Sequence, residues 1–202
     1  MISHTHKCIF VHIPKCAGTS IENLLTPDVN WWLRKINHRS EQHLTIGEMK
    51  QNDEYKKHLS AYFKFSVIRN PWSRFLSAFV FAKKEFRKTR CSFKKFCLNT
   101  QKNCPQKGSH KPYYRYIQTN QFDYLYDKEN GKILVDFICR LENMQDDFNI
   151  VCDKIGISQQ KLPHKNKSEH KHYTEYYDDE TKSIVAEKYA KDIEYFGYKF
   201  GD

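Results

Sequence analysis

The sequence predicts a single α/β domain spanning residues 1–202. Its length of 202 residues suits one domain with a sizeable core. Twice, at residues 8–25 and 61–80, an apolar run rich in β-branched and aromatic residues leads through a short turn into a helical apolar pattern. Hydrophobic residues make up 39% of the chain, below the usual share, but 15% are aromatic. Tyr and Phe are therefore expected to carry much of the core, which argues against extended disorder.

The first strand is expected over residues 8–13, CIFVHI. Pro14 stops its ladder because it has no N–H to donate. Lys15, Cys16, Ala17 and Gly18 form a tight loop. Thr19 and Ser20 open a helix whose apolar face is Ile21, Leu24 and Leu25. A strand, a tight loop and a hydroxyl-bearing helix start is a construction that holds phosphate, since helix N–H groups and the dipole favour an anion there. The loop is not a Walker A sequence, because Lys15 precedes Gly18 by three residues and no Gly-Lys-Ser/Thr string exists. A generic Lys/Gly turn of this kind is an ordinary connection with a solvated Lys.

Trp31, Trp32 and Leu33 form an aromatic patch flanked by cations. It reads equally as core packing and as a surface for sugars or anions. Thr45 and Glu48 fit a capping box, which places His43 just before a helix start. A second strand is expected over residues 61–68. Arg69 follows at its carboxyl end, where α/β sheets place ligands. Asn70 suits the N-cap and Pro71 the first position of the next helix, with Phe75, Leu76, Phe79 and Val80 on its apolar face. Ser77 lies two turns into that helix.

Lys and Arg outnumber Asp and Glu by 34 to 24, for a net charge of +10. That balance attracts anionic partners. Residues 83–111 concentrate it, with Phe86, Phe93 and Phe96 interleaved at core spacing, and no nucleic-acid-binding motif is present. The expectation is a solvated face, then a rim for an anionic acceptor, and no nucleic-acid partner. Beyond it, Asn130-Gly131 signals a turn and residues 133–138 a third strand. Asn143 is placed to cap a helix with Met144, Phe148, Val151 and Ile155 on one face, closed by Gly156. A last helix is expected over residues 179–189, followed by an apolar tail over 192–200.

Seven cysteines at irregular spacing form neither a CxxC pair nor a zinc pattern. Cys8, Cys97, Cys139 and Cys152 fall in apolar contexts, and free thiols in a reducing compartment are expected. His170 and His172, with His164 nearby, lack further ligands, so no metal is expected. No signal-peptide core and no apolar run of membrane length is visible, which predicts a soluble, cytoplasmic protein without a membrane span.

Residues 12–20, HIPKCAGTS, resemble the phosphosulfate-binding loop of sulfotransferases that use 3'-phosphoadenosine 5'-phosphosulfate (PAPS). The resemblance is to the family 2 branch, which includes heparan sulfate 2-O- and 6-O-sulfotransferases and small bacterial carbohydrate sulfotransferases. Those usually carry Thr where this chain has Cys16. Arg69-Asn70-Pro71, with Arg74 and Ser77 downstream, resembles the same family's 3'-phosphate motif. The resemblance implies a P-loop-NTPase-like central parallel sheet flanked by helices. It also implies transfer of a sulfuryl group from PAPS to a hydroxyl or amine of an acceptor, a carbohydrate foremost, leaving adenosine 3',5'-bisphosphate and using no metal.

Residue by residue, the resemblance implies that Lys15 stabilises the leaving oxygen. The main chain of Cys16, Ala17, Gly18, Thr19 and Ser20 would hold the phosphosulfate, helped by the Thr19 and Ser20 hydroxyls. Arg69 and Ser77 would hold the 3'-phosphate, with Lys167 and Ser168 as a late basic loop over it. His43 would be the general base, with His12 and Glu22 in reserve. Trp32, His43, Gln118 and Gln121 would meet the acceptor. Two rivals stand beside this reading. A P-loop kinase or NTPase would need the absent Gly-Lys-Ser/Thr string. A non-catalytic polyanion-binding module would need only the basic surface.

Overall fold

A computed structural model describes residues 1–26, 42–85, 92–101, 117–162 and 171–202. In chain order its elements are β1 (Ile2–Ser3), β2 (Cys8–Val11), α1 (Gly18–Leu25), α2 (Ile46–Gln51), α3 (Asp53–Lys56) and β3 (Phe63–Ile68). Then come α4 (Pro71–Glu85), α5 (Phe93–Gln101), α6 (Gln121–Leu125), β4 (Tyr126–Asp127), β5 (Lys132–Ile133) and β6 (Phe137–Arg140). The last are α7 (Met144–Ile155), α8 (Asp179–Lys188) and α9 (Ala190–Phe196). The chain forms two compact units, Met1–Ile68 with Asp123–Lys165, and Arg69–Phe122 with Asn166–Asp202.

The first unit is built on a four-stranded sheet in the order β1-β2-β3-β6. β1 runs antiparallel to β2, while β2, β3 and β6 are parallel. The carboxyl ends of β2 and β3 therefore share one edge of the sheet. Parallel neighbours need a crossover, and α1 lies in the one joining β2 to β3. All four residues of β2 are buried, as a continuous apolar run in a parallel sheet requires. Phe10 and Phe65 pair across the two strands with ring centroids 5.1 Å apart. α7 packs on β6 and β3 through Phe148, Val151 and Cys152.

The expected third strand divides in two. Ile133 belongs to β5, which pairs with β4 through the Asn130-Gly131 turn. Gly131 takes φ 65° there, and its N–H donates to the Asp127 carbonyl at 2.9 Å. β6 starts only after Asp136. The Asp136 N–H donates to the Lys64 carbonyl at 2.7 Å, and its carboxylate accepts from the Lys64 N–H at 2.7 Å. Strand pairing thus waits on an acidic anchor that hydrophobic patterning does not register. Asn143 holds the N-cap position of α7 without capping it. Its Nδ2 instead donates to Asp147 Oδ1 at 2.9 Å. Gly156 closes α7 at φ 72°, as expected.

The second unit is helical. Asn70 Oδ1 accepts from the Trp72 N–H at 3.1 Å, so α4 starts as the Asn-Pro pair predicts. Trp72, Phe75, Leu76, Phe79, Phe93 and Phe96 join Ile184, Val185 and Tyr189 in one aromatic-rich core. The tail over residues 192–200 begins inside a helix, α9, closed by Gly197 at φ 69°. Its Asn70-facing end is tied down where Asn70 Nδ2 donates to the Lys199 carbonyl at 2.8 Å.

Cys8, Cys16, Cys97, Cys139 and Cys152 are buried and form no disulfide. Burial pushes the Cys8 and Cys97 thiols up to about 12, which makes them inert packing groups. Among the described residues, no helix is long and apolar enough to cross a membrane.

Candidate functional site

The loop after β2 is shaped by its main chain. Lys15 and Ala17 both adopt left-handed backbone, with φ 69° and 56°, while Cys16 between them does not. Alternating handedness turns successive N–H groups toward one concavity, the geometry of an anion nest. Left-handed backbone costs a residue with a Cβ about 1–2 kcal/mol, and two such residues in a row of three persist only where the surroundings enforce them. α1 then begins at Gly18 with Ala17 as N-cap, no side-chain cap and no acidic residue in its first turn. The helix start carries the positive dipole end with no acidic residue in its own first turn.

His12 and Glu22 enforce this shape. His12 Nδ1 donates to Glu22 Oε1 at 2.9 Å, and both side chains are buried. The imidazole lies directly over Gly18: a Cβ there would fall 2.0 Å from His12 Nε2. Gly18 is thus required by close approach. Glu22 also accepts from Gln42 Nε2 at 3.0 Å. Burial pushes the Glu22 carboxyl up, but His12 and Gln42 outweigh it and hold the group down at about 2.

His43 is anchored on the same residue. Its Nδ1 lies 3.0 Å from the His12 carbonyl oxygen, and its ring meets the His12 ring edge-on at 4.5 Å. A carbonyl only accepts, so Nδ1 carries the proton and the lone pair is on Nε2. Burial first, and the neighbouring His12 second, push His43 down to about 3. It is therefore neutral at any physiological pH. The capping box that fixes its position forms as expected: the Glu48 N–H donates to Thr45 Oγ1 at 3.2 Å and the Thr45 N–H to Glu48 Oε2 at 2.8 Å.

In the second unit Arg69 is held at both ends. Its N–H donates to Gln121 Oε1 at 2.8 Å, and its carbonyl accepts from Gln121 Nε2, also at 2.8 Å. Its Nε donates to Ser73 Oγ at 3.0 Å. Ser73 and Ser77, four apart, share one face of α4, and Arg69 just before the helix reaches the first of them. Gln121 is in turn fixed by the fully buried Asp192, which accepts from the Gln121 and Phe122 N–H groups at 2.9 Å each. Burial raises the Asp192 carboxyl, against the pull of Arg74 and those N–H groups. Arg74 is itself buried, donating to the Thr119 carbonyl at 3.2 Å with its guanidinium 5.5 Å from the Tyr189 ring centre.

The first unit thus holds Lys15, Cys16, Ala17, Gly18, Thr19, Ser20 and His43, and the second holds Arg69, Ser77, Gln118 and Gln121. Trp32, Lys167 and Ser168 lie outside the described residues. One assignment is corrected. Gln121 is fully buried, with both ends of its amide on the Arg69 main chain, so it is a support for Arg69 and not an acceptor contact. His12 and Glu22 are bound to each other, and His43 is set on the His12 carbonyl. Ser73, Gln42 and Asp192 were not singled out by the sequence. Only Ser73 had a signal, its i+4 spacing from Arg69. In the basic stretch, Lys94 pairs with Asp178 at 3.1 Å and is a helix-to-helix brace.

The model of the sulfotransferase family matches residues 1–199. An uncharacterised protein of Archaeoglobus fulgidus is 29% identical over 112 residues, covering 55% of this chain and 82% of that one. The crystal structure of a sulfotransferase from Alicyclobacillus acidocaldarius aligns over 96% of both chains at 17% identity, with a TM-score of 0.48.

Proposed function

The chain belongs to the sulfotransferase family, and from that we propose that it moves a sulfuryl group from PAPS to a carbohydrate hydroxyl, with His43 as general base. The whole of residues 1–202 is read as one sulfotransferase domain. The observation that carries the proposal is the fixing of His43 on the loop's own first residue: its Nδ1 bond to the His12 carbonyl leaves the lone pair on Nε2. The neutral imidazole in a defined tautomer can take the acceptor proton, though burial, which lowers it to about 3, makes it a weaker base than an ordinary histidine.

The nest around Lys15 and Ala17 and the uncapped start of α1 fit an anionic phosphosulfate. Lys15 stabilises the charge that grows on the bridging oxygen, and Thr19 and Ser20 add hydroxyl donors. Arg69 and Ser77 take the 3'-phosphate, with Lys167 and Ser168 assigned to the same end. The acceptor oxygen bonds to sulfur as the bond from sulfur to the bridging oxygen breaks. The acceptor proton passes to His43 Nε2, and the electron pair leaves on the 5'-phosphate of adenosine 3',5'-bisphosphate. In-line positioning and charge stabilisation supply the rate, as in phosphoryl transfer. Trp32 and Gln118 are assigned to the acceptor. Among the described residues, five cysteines are buried without a disulfide, which suits a reducing compartment such as the cytoplasm.

Thermal shift with three nucleotides tests the donor. Adenosine 3',5'-bisphosphate is expected to raise the melting temperature well above the rise with ATP or adenosine 5'-phosphate. Equal shifts would overturn PAPS use. Labelled PAPS with a panel of sugars and glycans tests the acceptor, and His43→Ala should abolish labelling while keeping the nucleotide shift. Normal turnover in that variant would remove His43 as base.

A further inference from the structure

We propose that Gln121 is a positioning residue for Arg69, fixing the main chain from which the guanidinium reaches out and so setting the preference for nucleotides that carry a 3'-phosphate. The proposal rests on the assignment of Arg69 to that phosphate and goes beyond it, to what makes the arginine selective.

A flexible arginine binds any nearby phosphate. Selectivity needs the guanidinium to be offered at one place before the ligand arrives. Two bonds at 2.8 Å from one side-chain amide clamp both main-chain polar groups of Arg69, and so the two peptide units on either side of it, as a neighbouring strand would. No rotation about the Arg69 main chain keeps both. The clamp is fully buried and is itself seated: Asp192 accepts the Gln121 and Phe122 N–H groups, so the Gln121 main chain is fixed as well. Ser73 then takes the Nε edge of the guanidinium at 3.0 Å, which orients its plane. The chain of support runs Asp192 to Gln121 to the Arg69 main chain, and ends on a charged side chain.

Gln is well suited to this place. Only a group with one donor and one acceptor, at that length, satisfies an N–H and a carbonyl together. A protonated Glu has the same pair, because its hydroxyl donates and its carbonyl accepts. An ionised Glu has acceptors only and would face the Arg69 carbonyl. Among the described residues, the charged residues tied to position 121 are Asp192 and Arg69, with Arg74 acting on Asp192. Asp192 disfavours a second negative charge beside it, so Gln121→Glu should titrate well above an ordinary carboxyl.

The test measures binding of adenosine 3',5'-bisphosphate and adenosine 5'-phosphate to the full chain by calorimetry. Wild type, Gln121→Leu and Gln121→Glu are compared at pH 5.5 and 8, each ratio taken relative to wild type at the same pH. Gln121→Leu should lower the preference for the 3'-phosphate at least tenfold while leaving adenosine 5'-phosphate affinity within about twofold. Gln121→Glu should match wild type at pH 5.5 and move toward Gln121→Leu at pH 8. A merely structural role would weaken both nucleotides together and show no pH-dependent recovery, and that result overturns the proposal. Should Gln121→Leu fail to fold, the Gln121→Glu ratio at the two pH values decides alone. A wild type without preference for the 3'-phosphate would sink the PAPS reading and this proposal with it. A wild-type preference that both variants retain would remove only Gln121.

Discussion

The loop after β2 and the turn after β3 are both assigned to phosphate, but they are made differently. The loop offers main chain. Its concavity comes from left-handed Lys15 and Ala17, and its support is the His12–Glu22 pair pressed over Gly18. The turn offers a side chain. Arg69 is clamped by Gln121 and Ser73. A main-chain site depends on neighbours close in sequence, since His12, Gly18 and Glu22 fall within ten residues. A side-chain site depends on residues far away, since Gln121 and Asp192 lie 52 and 123 positions beyond Arg69 by their numbering. The first should break through sterics and strain, the second through lost hydrogen bonds.

Gly18→Ala gives the largest expected effect. A Cβ at 2.0 Å from His12 Nε2 cannot be accommodated without displacing a buried, hydrogen-bonded ring. Overpacking of this kind costs about 1–3 kcal/mol or more. Nucleotide binding should be lost and the melting temperature should fall by several kelvin. Adding His12→Ala removes the clash and should recover part of the melting temperature. Additive losses in the double variant would show that the two residues do not oppose each other.

Lys15 separates shape from charge. Lys15→Ala should lower turnover at least about a hundredfold, as loss of a charge-stabilising donor does. Lys15→Gly should lower it as far, yet melt no lower than Lys15→Ala, because glycine takes φ 69° without the left-handed cost. A clearly less stable Lys15→Gly would argue against a strained loop. On the other side of the comparison, Arg69→Ala should erase the 3'-phosphate preference. Ser73→Ala should weaken adenosine 3',5'-bisphosphate only about three- to tenfold, the value of one hydrogen bond that orients a charged group. A Ser73→Ala variant as defective as Arg69→Ala would place Ser73 on the ligand itself.

The same contrast explains what was legible in the sequence. The β2 loop, the Asn70-Pro71 helix start, the Thr45–Glu48 capping box and Gly156 are local devices, set by residues within a few positions of each other. All of them can be read from spacing. The division of residues 133–138 was not legible, because Asp136 pairs with Lys64 across 72 positions. Gln121 was misread for the same reason: a glutamine in an aromatic, polar stretch looks like a cleft residue until its distant main-chain partner is known. Glu22 falls between these cases. It stands on a helix like any charged residue, and only the strand-to-helix turn brings it against His12.

A separate effect is on stability against pH, and it isolates His43. Burial lowers its folded-state pKa to about 3 from 6.5. As pH falls below 6.5 the unfolded chain takes up a proton there that the folded chain does not, so stability present above pH 6.5 is lost progressively toward pH 3. Glu22 works in a lower window. Its carboxyl, held at about 2 against 4.5, contributes stability above pH 4.5 that is lost only as pH falls from there toward 2. Between pH 6.5 and 4.5 His43 therefore acts without Glu22. Wild type should lose more melting temperature across that interval than His43→Gln, which has no proton to gain. The pH–rate profile should show no acid limb near 6.5 from this residue, because the folded imidazole is already neutral. An acid limb near 6.5 that persists when each other histidine is replaced in turn would mean that His43 is more open to water than its contacts with His12 imply.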